Sequence, residues 1–372
     1  MATIYHLLDE REAFSERNGG AISRWAANAL RDGSEVVVCP AFDASWKFAP
    51  DRIYEMPGWA RVGAIHPVLY RLPWILQRTL YLRIFEHMLG QLKAGDTVYV
   101  HNRPACAAVL ATVAERYKFS VVLHMHNSLL LRANRGQIKA LRQVPIAYCS
   151  EFLREEAEQA LPKHFERTHV VYNGADDKKF RPQIRPTNTV SNIIFTGRLV
   201  PYKGVHVLLD AMRILEKQGV EVNCKIVGGA GFGNSKATRY VRRLKRDAPA
   251  NCEMVGYRSG DAFSQLLHDS DIFCCPSIWN DPFPLAPLEA MAAGVPVIAS
   301  EVGGLPEALA FGGGLLVPPN DPEALASAIG TLVQDEGRRR RLGQEAREVV
   351  ENHFLWSTVR AQYLSVLQDV TS

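Results

Sequence analysis

The chain has 372 residues, of which 47% are hydrophobic and 22% are charged. This length and balance predict a soluble globular protein of two domains and exclude a disordered protein or a coiled coil. Lysine and arginine number 43 against 39 acidic residues, and so small an excess does not predict nucleic-acid binding. The excess lies in the first half, because residues 1–180 carry 23 basic and 19 acidic side chains and the rest of the chain carries 20 of each.

Short apolar, β-branched runs alternate with segments of helical period along the whole chain. Strands separated by helices predict parallel sheets, and runs this uniformly apolar predict strands covered by helices on both faces. About a dozen runs exceed one ordinary sheet, so the sequence predicts an α/β protein with two doubly wound sheets. In chain order the runs are ATIYHLL, EVVVCPAF, DTVYVHN, SVVLHMHN, IAYCS, HVVYNG, NIIFTGRL, VNCKIVGG, CEMVGY, DIFCCPS, PVIAS and GLLVPP.

A polar stretch at residues 176–192 contains two prolines and separates HVVYNG from NIIFTGRL, which is typical of an interdomain linker. We therefore expect an N-terminal domain over 1–180 and a C-terminal domain over 181–353. The last helical pattern could dock on either domain, and we expect residues 354–372 to return to the first. The cleft between two such domains, at the carboxyl ends of the strands, is the default ligand site.

The seven cysteines contain no C-x-x-C pair and lie mostly in apolar strand-like runs, so they are predicted to be buried, reduced thiols. The N-terminal MATIYHLLDE lacks the basic flank and long apolar stretch of a signal peptide. No stretch approaches the roughly 18 apolar residues that a spanning helix needs. These features predict a cytoplasmic protein.

The densest chemical signal is SIWNDPFPLAPLEAMAAGVPVIASEVGGLPE, at residues 277–307. Pro287 suits the first turn of a helix that ends at Gly294, so Asp281 is predicted in the entry loop and Glu289 near the first turn. A helix N-terminus favours phosphate, whereas carboxylates beside it bind hydroxyl groups. The pattern indicates a sugar nucleotide. Alternatively, Glu289 complements the helix dipole and Asp281 caps a turn.

Two further segments carry groups suited to a diphosphate. In IIFTGRLVPYKG, Arg198 follows a buried strand and Lys203 precedes the next helix, so both cations are predicted beside the crevice. In RNGGAISRW, Gly19 and Gly20 open a helix where backbone N–H groups approach a ligand closely. Neither G-x-G-x-x-G nor G-x-x-x-x-G-K-[ST] occurs, which disfavours a dinucleotide oxidoreductase or a P-loop NTPase.

Together these motifs resemble a retaining glycosyltransferase of family 4. The most specific part is the pair of acidic residues eight positions apart, followed by LEAMAAGVPVIAS and VGGLPE and supported by GRLVPYKG and the N-terminal glycine pair. The resemblance spans essentially the whole chain. It implies the GT-B fold, an α/β architecture in which two Rossmann-like doubly wound domains face each other across a cleft.

The resemblance also implies roles for individual residues. Glu289 would hold the ribose hydroxyls of the nucleotide, and Asp281 would hold hydroxyls of the donor sugar. Arg198 and Lys203 would grip the diphosphate, and His126 would contact the transferred sugar near its anomeric carbon.

Backbone groups would complete the donor site. Gly256 would hold the base, and the loop of Gly19 and Gly20 would approach the diphosphate and acceptor. Leu285 and Ala286 would offer backbone N–H groups.

Two residues depart from the pattern of the family. Asp281 stands where glutamate is usual, and Pro284 stands where glycine is usual in E-P-F-G-L. Aspartate is one methylene shorter and proline has no N–H. The sugar must therefore sit closer or bind through water, and one backbone donor is lost.

These features predict a metal-independent, cofactor-free hexosyltransferase that moves a sugar from a nucleotide diphosphate sugar to a hydroxyl group. We expect a UDP-sugar in preference to a GDP-sugar, and a glycan or lipid-linked acceptor in bacterial surface polysaccharide or lipopolysaccharide synthesis. In the family the β-phosphate oxygen of the donor is thought to take the acceptor proton. The rivals are a sugar-nucleotide epimerase, a phosphorylase, and a non-catalytic GT-B protein that binds a glycan or partner.

Two groups of polar residues have structural alternatives to a ligand site. Asp269-Ser270-Asp271 matches a D-x-D motif that binds Mn²⁺ in another glycosyltransferase fold, but its place before a strand favours a structural role. His124 shares a strand side with His126, so both could line the cleft or fill the core. His101-Asn102 could contact an acceptor or cap a strand end.

Residues 65–89 interleave Trp, Tyr, Leu and Ile with Arg71, Arg78 and Arg83. Such a segment suits a peripheral contact with the inner face of the plasma membrane. The alternative is a helix pair packed on the first sheet with its arginines in water.

Overall fold

The computed structural model describes residues 2–10, 13–15, 20–30, 35–42, 52–56, 68–69, 71–182, 190–231 and 237–371. The chain divides into two compact units, one of Met1–Tyr172 with Val359–Ser372 and one of Asn173–Thr358.

The N-terminal unit contains one parallel sheet. Its described strands are β1 (Ile4–Leu7), β2 (Glu35–Cys39), β3 (Ile53–Glu55), β4 (Thr97–His101), β5 (Ser120–Met125), β6 (Ile146–Tyr148) and β7 (Thr168–Val170). They lie in the order β3-β2-β1-β4-β5-β6-β7. Helices described in this unit are Ala21–Ala29, Trp74–Leu89, Pro104–Tyr117, Arg135–Leu141, Glu151–Ala160 and most of Trp356–Thr371, with a 3₁₀ turn at Ser128–Arg132.

The C-terminal unit contains a second parallel sheet. Its described strands are β8 (Ser191–Thr196), β9 (Val222–Val227), β10 (Cys252–Gly256), β11 (Ile272–Cys275), β12 (Val297–Ser300) and β13 (Gly314–Val317). They lie in the order β10-β9-β8-β11-β12-β13. The helices are Val205–Lys217, Arg239–Asp247, Gly260–His268, Leu285–Ala292, Leu305–Ala308, Pro322–Gln334 and Glu336–Val349, with a 3₁₀ turn at Pro201–Lys203 and a π turn at Val350–Phe354.

The predicted fold class is confirmed, because both sheets are parallel and every apolar run predicted as a strand overlaps one. The central strands β4, β11 and β12 are buried at every residue, as expected where helices cover both faces. The sequence analysis does not predict β3. Its three residues are only partly buried or exposed, so its sequence lacks the apolar run that marks the other strands.

The division between the units lies after Tyr172, earlier than the boundary predicted after residue 180, and the return of the chain to the first unit begins at Val359 rather than at residue 354. Asn173 Nδ2 donates to the Phe283 carbonyl at 2.6 Å, and the Ala175 N–H donates to the Phe354 carbonyl at 2.8 Å. The side chain of Arg347 donates to the Phe180 carbonyl at 3.4 Å. These bonds join residues 173–180 to the C-terminal unit. Residues 183–189 of the predicted linker lie outside the described residues.

All seven cysteines are buried and free of disulfides, as predicted. Within the described ranges, none of the helices combines the length and apolar character required to cross a membrane.

Candidate functional site

The C-terminal sheet reverses its strand order between β8 and β11. From β8 the chain proceeds outward to β9 and β10, and from β11 it proceeds the opposite way to β12 and β13. The loops after β8 and β11 therefore leave the sheet in opposite directions, which opens a crevice at the carboxyl ends of these strands. Arg198 and Lys203 follow β8, and Asp281 follows β11.

The two loops are packed together by backbone contacts. The Ile278 N–H donates to the Tyr202 carbonyl at 3.0 Å. Gly204 has a φ of +69°, and a Cβ built there would lie 1.7 Å from the Pro276 carbonyl oxygen. A side chain at residue 204 would therefore push the loops apart, which explains the glycine after Lys203.

An ion pair between Lys203 and Asp281 joins the side chains of these loops. The Asp281 carboxylate is buried and also lies 3.5 Å from the Ser277 hydroxyl, whereas the Lys203 side chain keeps 15% of its surface exposed. A buried carboxylate is costly without a partner. Lys203 therefore stabilises the charge that the loop after β11 places in the crevice.

Gly303 and Gly304 of the VGGLPE motif hold the backbone of the Asp281 loop. The Gly304 N–H donates to the Asp281 carbonyl at 2.8 Å. Gly303 has a φ of +59°, and a Cβ there would lie 2.2 Å from the Asp281 carbonyl oxygen. A Cβ at Gly304 would lie 1.9 Å from the Pro282 carbonyl oxygen. The glycine pair thus supports the aspartate rather than a ligand directly.

The helix Leu285–Ala292 begins beside this loop, as the sequence predicts for Pro287 and its neighbours. Pro284 is the N-cap residue, and no capping hydrogen bond from a side chain is described for this helix. Leu285 and Ala286 carry the first backbone N–H groups, which point out of the helix end. Glu289 lies one turn further on and is buried, with 7% of its surface exposed.

Arg198 and Gly256 lie at the same edge of the sheet. The half-buried Arg198 guanidinium stands 5.6 Å from the centre of the Tyr202 ring. Gly256 has a φ of +80°, and its carbonyl accepts a 3.0 Å bond from the Gly228 N–H. A Cβ at Gly228 would lie 1.8 Å from the Gly197 carbonyl oxygen, so the ends of β8, β9 and β10 approach closely.

Thus the fold brings all eight of the site residues predicted in this unit to one edge of the C-terminal sheet or to the helix that starts there. They are Arg198, Lys203, Gly256, Asp281, Pro284, Leu285, Ala286 and Glu289.

Three residues of the predicted site belong to the N-terminal unit. Gly20 is the N-cap of the helix Ala21–Ala29, and Gly19 lies outside the described residues. His126 directly follows β5 and is half-buried, and its backbone N–H donates to the Asn102 side chain at 3.3 Å.

Histidine rings cluster around His126. Its ring centre is 4.1 Å from that of His124, so the two do share a strand side. His126 Nε2 lies 3.1 Å from His101 Nδ1. Burial lowers the pKa of His126 to about 3 and holds those of His101 and His124 well below their ordinary value, so all three rings are neutral near pH 7.

These three neutral rings are close enough to one another to hold a metal ion. His101 is fully buried and both of its ring nitrogens are hydrogen bonded. It therefore supports its neighbours rather than contacting an acceptor directly.

Sequence reasoning missed the residues that support this cluster. His6 on β1 and Tyr363 on the helix Trp356–Thr371 are hydrogen bonded at 2.9 Å. Arg103 is fully buried and pairs with Asp9 and Glu10. The strand end VHNRP, in which His101, Asn102 and Arg103 are consecutive, is the signal that could have indicated a buried polar network.

The D-x-D sequence at residues 269–271 has the predicted structural role, because its side chains bond neighbouring parts of the C-terminal unit. The Asp271 carboxylate accepts a 2.8 Å bond from the Asn192 N–H, and Ser270 donates to the Leu266 carbonyl at 2.6 Å. Asp269 accepts a bond from Gln265 at 2.8 Å.

Comparison with known proteins defines the class of this fold. The structure of Anabaena HepE in complex with UDP-glucose aligns with a TM-score of 0.75 and 21% identity, covering 98% of this chain and 99% of that one. HepE is one of several GT-B structures that this chain resembles, so the fold is GT-B.

Sequence comparison matches somewhat less than half of the chain to a family model. Residues 176–349 match the family model described as glycosyl transferases group 1. Spore coat protein SA of Bacillus subtilis is 28% identical over 315 residues, 76% of this chain and 82% of that protein. A putative colanic acid biosynthesis glycosyltransferase of Escherichia coli, WcaL, is 32% identical over 211 residues, 55% of this chain and 51% of that protein. These matches support a glycosyltransferase with the GT-B fold.

The first prediction concerns the support of Asp281. We expect Gly303→Ala to lower the free energy of unfolding by about 3 kcal/mol, because it adds a backbone clash to the cost of a left-handed residue. Gly260→Ala is the matched control, since Gly260 has a φ of +62° and nothing within 4 Å of its Cβ position. It should cost about 1 kcal/mol. If urea denaturation shows that the two variants lose the same free energy of unfolding, the backbone clash predicted at residue 303 is contradicted.

Proposed function

We propose that the protein is a retaining glycosyltransferase of family 4, transferring a hexose from a nucleotide diphosphate sugar to a hydroxyl group of a glycan or lipid-linked acceptor. The observation that carries the proposal is the arrangement at the β8–β11 switch point. There a helix N-terminus, an Arg and a Lys lie at one sheet edge with two buried carboxylates. Cations and amides suit a diphosphate, and carboxylates suit hydroxyl groups.

Glu289 and the helix start are assigned to the nucleotide. The Glu289 carboxylate accepts hydrogen bonds from the ribose hydroxyls. The N–H groups of Leu285 and Ala286 and the positive end of the helix dipole hold phosphate oxygens. Pro284 lacks an N–H, but as the N-cap it precedes the helical amides, so this departure from the family pattern leaves the first-turn donors of Leu285 and Ala286 in place.

Asp281 and Lys203 are assigned to the sugar and the diphosphate. A carboxylate repels a nearby diphosphate and raises the energy of the bound state unless a cation lies between the two. The pairing of Lys203 with Asp281 supplies that cation. Lys203 then contacts the diphosphate as well, and Asp281 accepts bonds from hydroxyls of the hexose. Aspartate is shorter than glutamate and can adjust its reach less. The position that Gly303 and Gly304 give the Asp281 backbone therefore matters more for contact with the hexose than it would for a glutamate.

The transfer step needs no nucleophile from the protein in this proposal. The acceptor oxygen bonds to the anomeric carbon on the face that the diphosphate leaves, and the β-phosphate oxygen takes the acceptor proton. Arg198 and Lys203 stabilise the charge on the departing diphosphate without a metal ion. His126 contacts the transferred sugar, Gly256 holds the base, and Gly20 approaches the diphosphate.

The relatives support the donor and the pathway class. HepE is named in complex with UDP-glucose, which supports a UDP-sugar ahead of a GDP-sugar. WcaL is named for colanic acid biosynthesis, which supports an acceptor in bacterial surface polysaccharide or lipopolysaccharide synthesis.

Nucleotide binding is tested by thermal stability. UDP at 100 times its Kd should stabilise the protein by about 2.7 kcal/mol, and more than GDP or ADP at the same concentration. Glu289→Ala should abolish this gain because the ribose contacts are lost. Glu301→Ala is the control, since Glu301 is exposed after β12 at the same sheet edge. No stabilisation by any of the three nucleotides would oppose a sugar-nucleotide enzyme.

Sugar transfer is tested with Asp281→Asn and a panel of UDP-sugars. We expect kcat to fall about 100-fold, since the charge facing the hexose is lost while the nucleotide contacts remain. The control Asp269→Asn should keep full activity, and EDTA should not inhibit. Retention is read from the anomeric configuration of the product. Conversion of the donor to an epimer in the absence of acceptor would favour the epimerase. If no UDP-sugar is turned over at all, the non-catalytic binding protein would be favoured.

We also propose that the helix Trp74–Leu89 contacts the membrane. One face is buried through Gln77, Tyr81 and Phe85, whereas Ile75 and Leu76 are 69% and 49% exposed. Arg83 of the same helix is exposed as well, and apolar side chains beside an exposed arginine suit the surface of an anionic bilayer. Residues 65–67 and 70 of the predicted segment lie outside the described residues.

Vesicle binding tests this contact. The protein should sediment with anionic vesicles at low salt, and Ile75→Ser combined with Leu76→Ser should release it because the inserted apolar area is lost. Phe311→Ser, which removes an equally exposed apolar side chain from the C-terminal unit, should have no effect. Wild-type protein that stays in the supernatant would refute the contact.

A further inference from the structure

A buried chain of hydrogen bonds leads away from His126. His126 Nε2 lies 3.1 Å from His101 Nδ1, and His101 Nε2 lies 3.1 Å from His6 Nδ1. His6 Nε2 lies 2.9 Å from the Tyr363 hydroxyl, and Tyr363 in turn interacts with the Glu35 carboxylate. These five residues, from His126 to Glu35, are here called the imidazole chain. It crosses the neighbouring strands β5, β4 and β1 and ends at β2 through the helix Trp356–Thr371.

Each ring of the imidazole chain is neutral, so each carries a single N–H. Burial lowers the pKa of His6 and of His126 to about 3, and that of His101 falls well below its ordinary value. A neutral imidazole donates through one nitrogen and accepts through the other. Since consecutive rings are bonded to each other, the direction of one bond dictates the direction of all of them.

Glu35 decides that direction. Its carboxylate is fully buried and pairs with Arg360 at 3.2 Å and with Arg52 at 3.4 Å. The two guanidinium groups stabilise its carboxylate form, which can only accept hydrogen bonds. Burial also raises the pKa of Tyr363 well above its ordinary value, so its proton stays on the hydroxyl. The Tyr363 hydroxyl therefore donates to Glu35.

The remaining bonds follow in order. With its proton directed at Glu35, the Tyr363 oxygen accepts from His6 Nε2–H. His6 Nδ1 then accepts from His101 Nε2–H, and His101 Nδ1 accepts from His126 Nε2–H. His126 is left with its proton on Nε2 and a lone pair on Nδ1. That Nδ1 is buried and has no hydrogen-bond partner among the described residues.

We propose that the imidazole chain holds His126 as its Nε2–H tautomer, so that Nδ1 accepts a hydrogen bond from a hydroxyl of the substrate. Glu35, Tyr363, His6 and His101 are positioning residues, because they act on the substrate only through His126. The consequence for catalysis rests on the proposed function, whereas the tautomer follows from the hydrogen bonds of the N-terminal unit alone. A histidine fixed in this way binds a hydroxyl and donates no proton to it.

Other groups around the imidazole chain do not compete for its protons. His124 directs Nδ1 at the Tyr99 hydroxyl, 3.3 Å away, and Trp25 packs against His101 through its ring. A metal ion on His101, His124 and His126 would require His101 to give up its bond to His6 or to His126. The hydrogen-bonded arrangement and a metal site are therefore distinguishable.

The tautomers can be read directly from wild-type protein. In protein with ¹⁵N-labelled histidine, two-bond ¹H–¹⁵N spectra separate protonated from unprotonated ring nitrogens. We expect the Nε2–H pattern for His6, His101 and His126, unchanged by EDTA, with the His126 signals assigned by their loss in His126→Asn. An Nδ1–H pattern for His126, or a change on adding EDTA, would overturn the proposal.

Tyr363→Phe tests whether the proton on His126 is set from a distance. His6 loses the acceptor for Nε2–H, so its proton should move to Nδ1 and donate to His101, and the chain should reverse. His126 should then show the Nδ1–H pattern although the change is three hydrogen bonds away. Tyr99→Phe is the control, since it removes a buried hydroxyl beside His124 and leaves the imidazole chain intact. If His126 keeps the Nε2–H pattern in folded Tyr363→Phe, the proposed positioning of its proton by Tyr363 is refuted.

Activity gives the last readout. Tyr363→Phe should lower kcat at least tenfold with the KM for the nucleotide sugar changed less than threefold, and Tyr99→Phe should stay within twofold of wild type. A normal kcat in Tyr363→Phe with a reversed tautomer would overturn the catalytic role. If wild-type protein transfers no sugar, the proposed function is refuted. The tautomer assignment is then still tested by the ¹⁵N spectra, which do not depend on activity. If Tyr363→Phe does not fold, the wild-type spectrum decides.

Discussion

The ion pair between Lys203 and Asp281 is the contact on which the candidate donor site depends. It joins the two loops that leave the sheet at the point where the strand order reverses, and it offsets the cost of burying a carboxylate there. A parallel sheet brings all its carboxyl ends to one edge, but only a reversal of strand order opens a crevice at that edge. The pair places opposite charges at this opening.

Much of the surrounding sequence serves to hold these charges rather than to touch a ligand. Gly204 lets the loops after β8 and β11 meet, and Gly303 and Gly304 press against the backbone that carries Asp281. The signature that makes the sequence resemble a glycosyltransferase is therefore largely a set of close backbone approaches. Such approaches leave a clear trace in a sequence, because only glycine fits them.

In the N-terminal unit, the corresponding feature is the orientation of a neutral histidine, His126. His126 ends a strand whose neighbours contribute His101 and His6, and burial keeps all three rings uncharged. A row of neutral rings has no preferred direction by itself. The buried Glu35 between two arginines gives it one, and the helix that contains Tyr363 makes the connection.

The sequence alone determined the parallel α/β class, the strand runs, the helix start at Pro284–Pro287 and the placement of Asp281 and Glu289 beside it. These follow from local periodicity, proline and glycine, which act within a few residues. Tertiary structure alone decided that Lys203 pairs with Asp281, that His101 is buried and that His6 and Tyr363 lie behind His126. Those contacts join residues far apart in the chain, and no local pattern encodes which strand or helix becomes the neighbour of another.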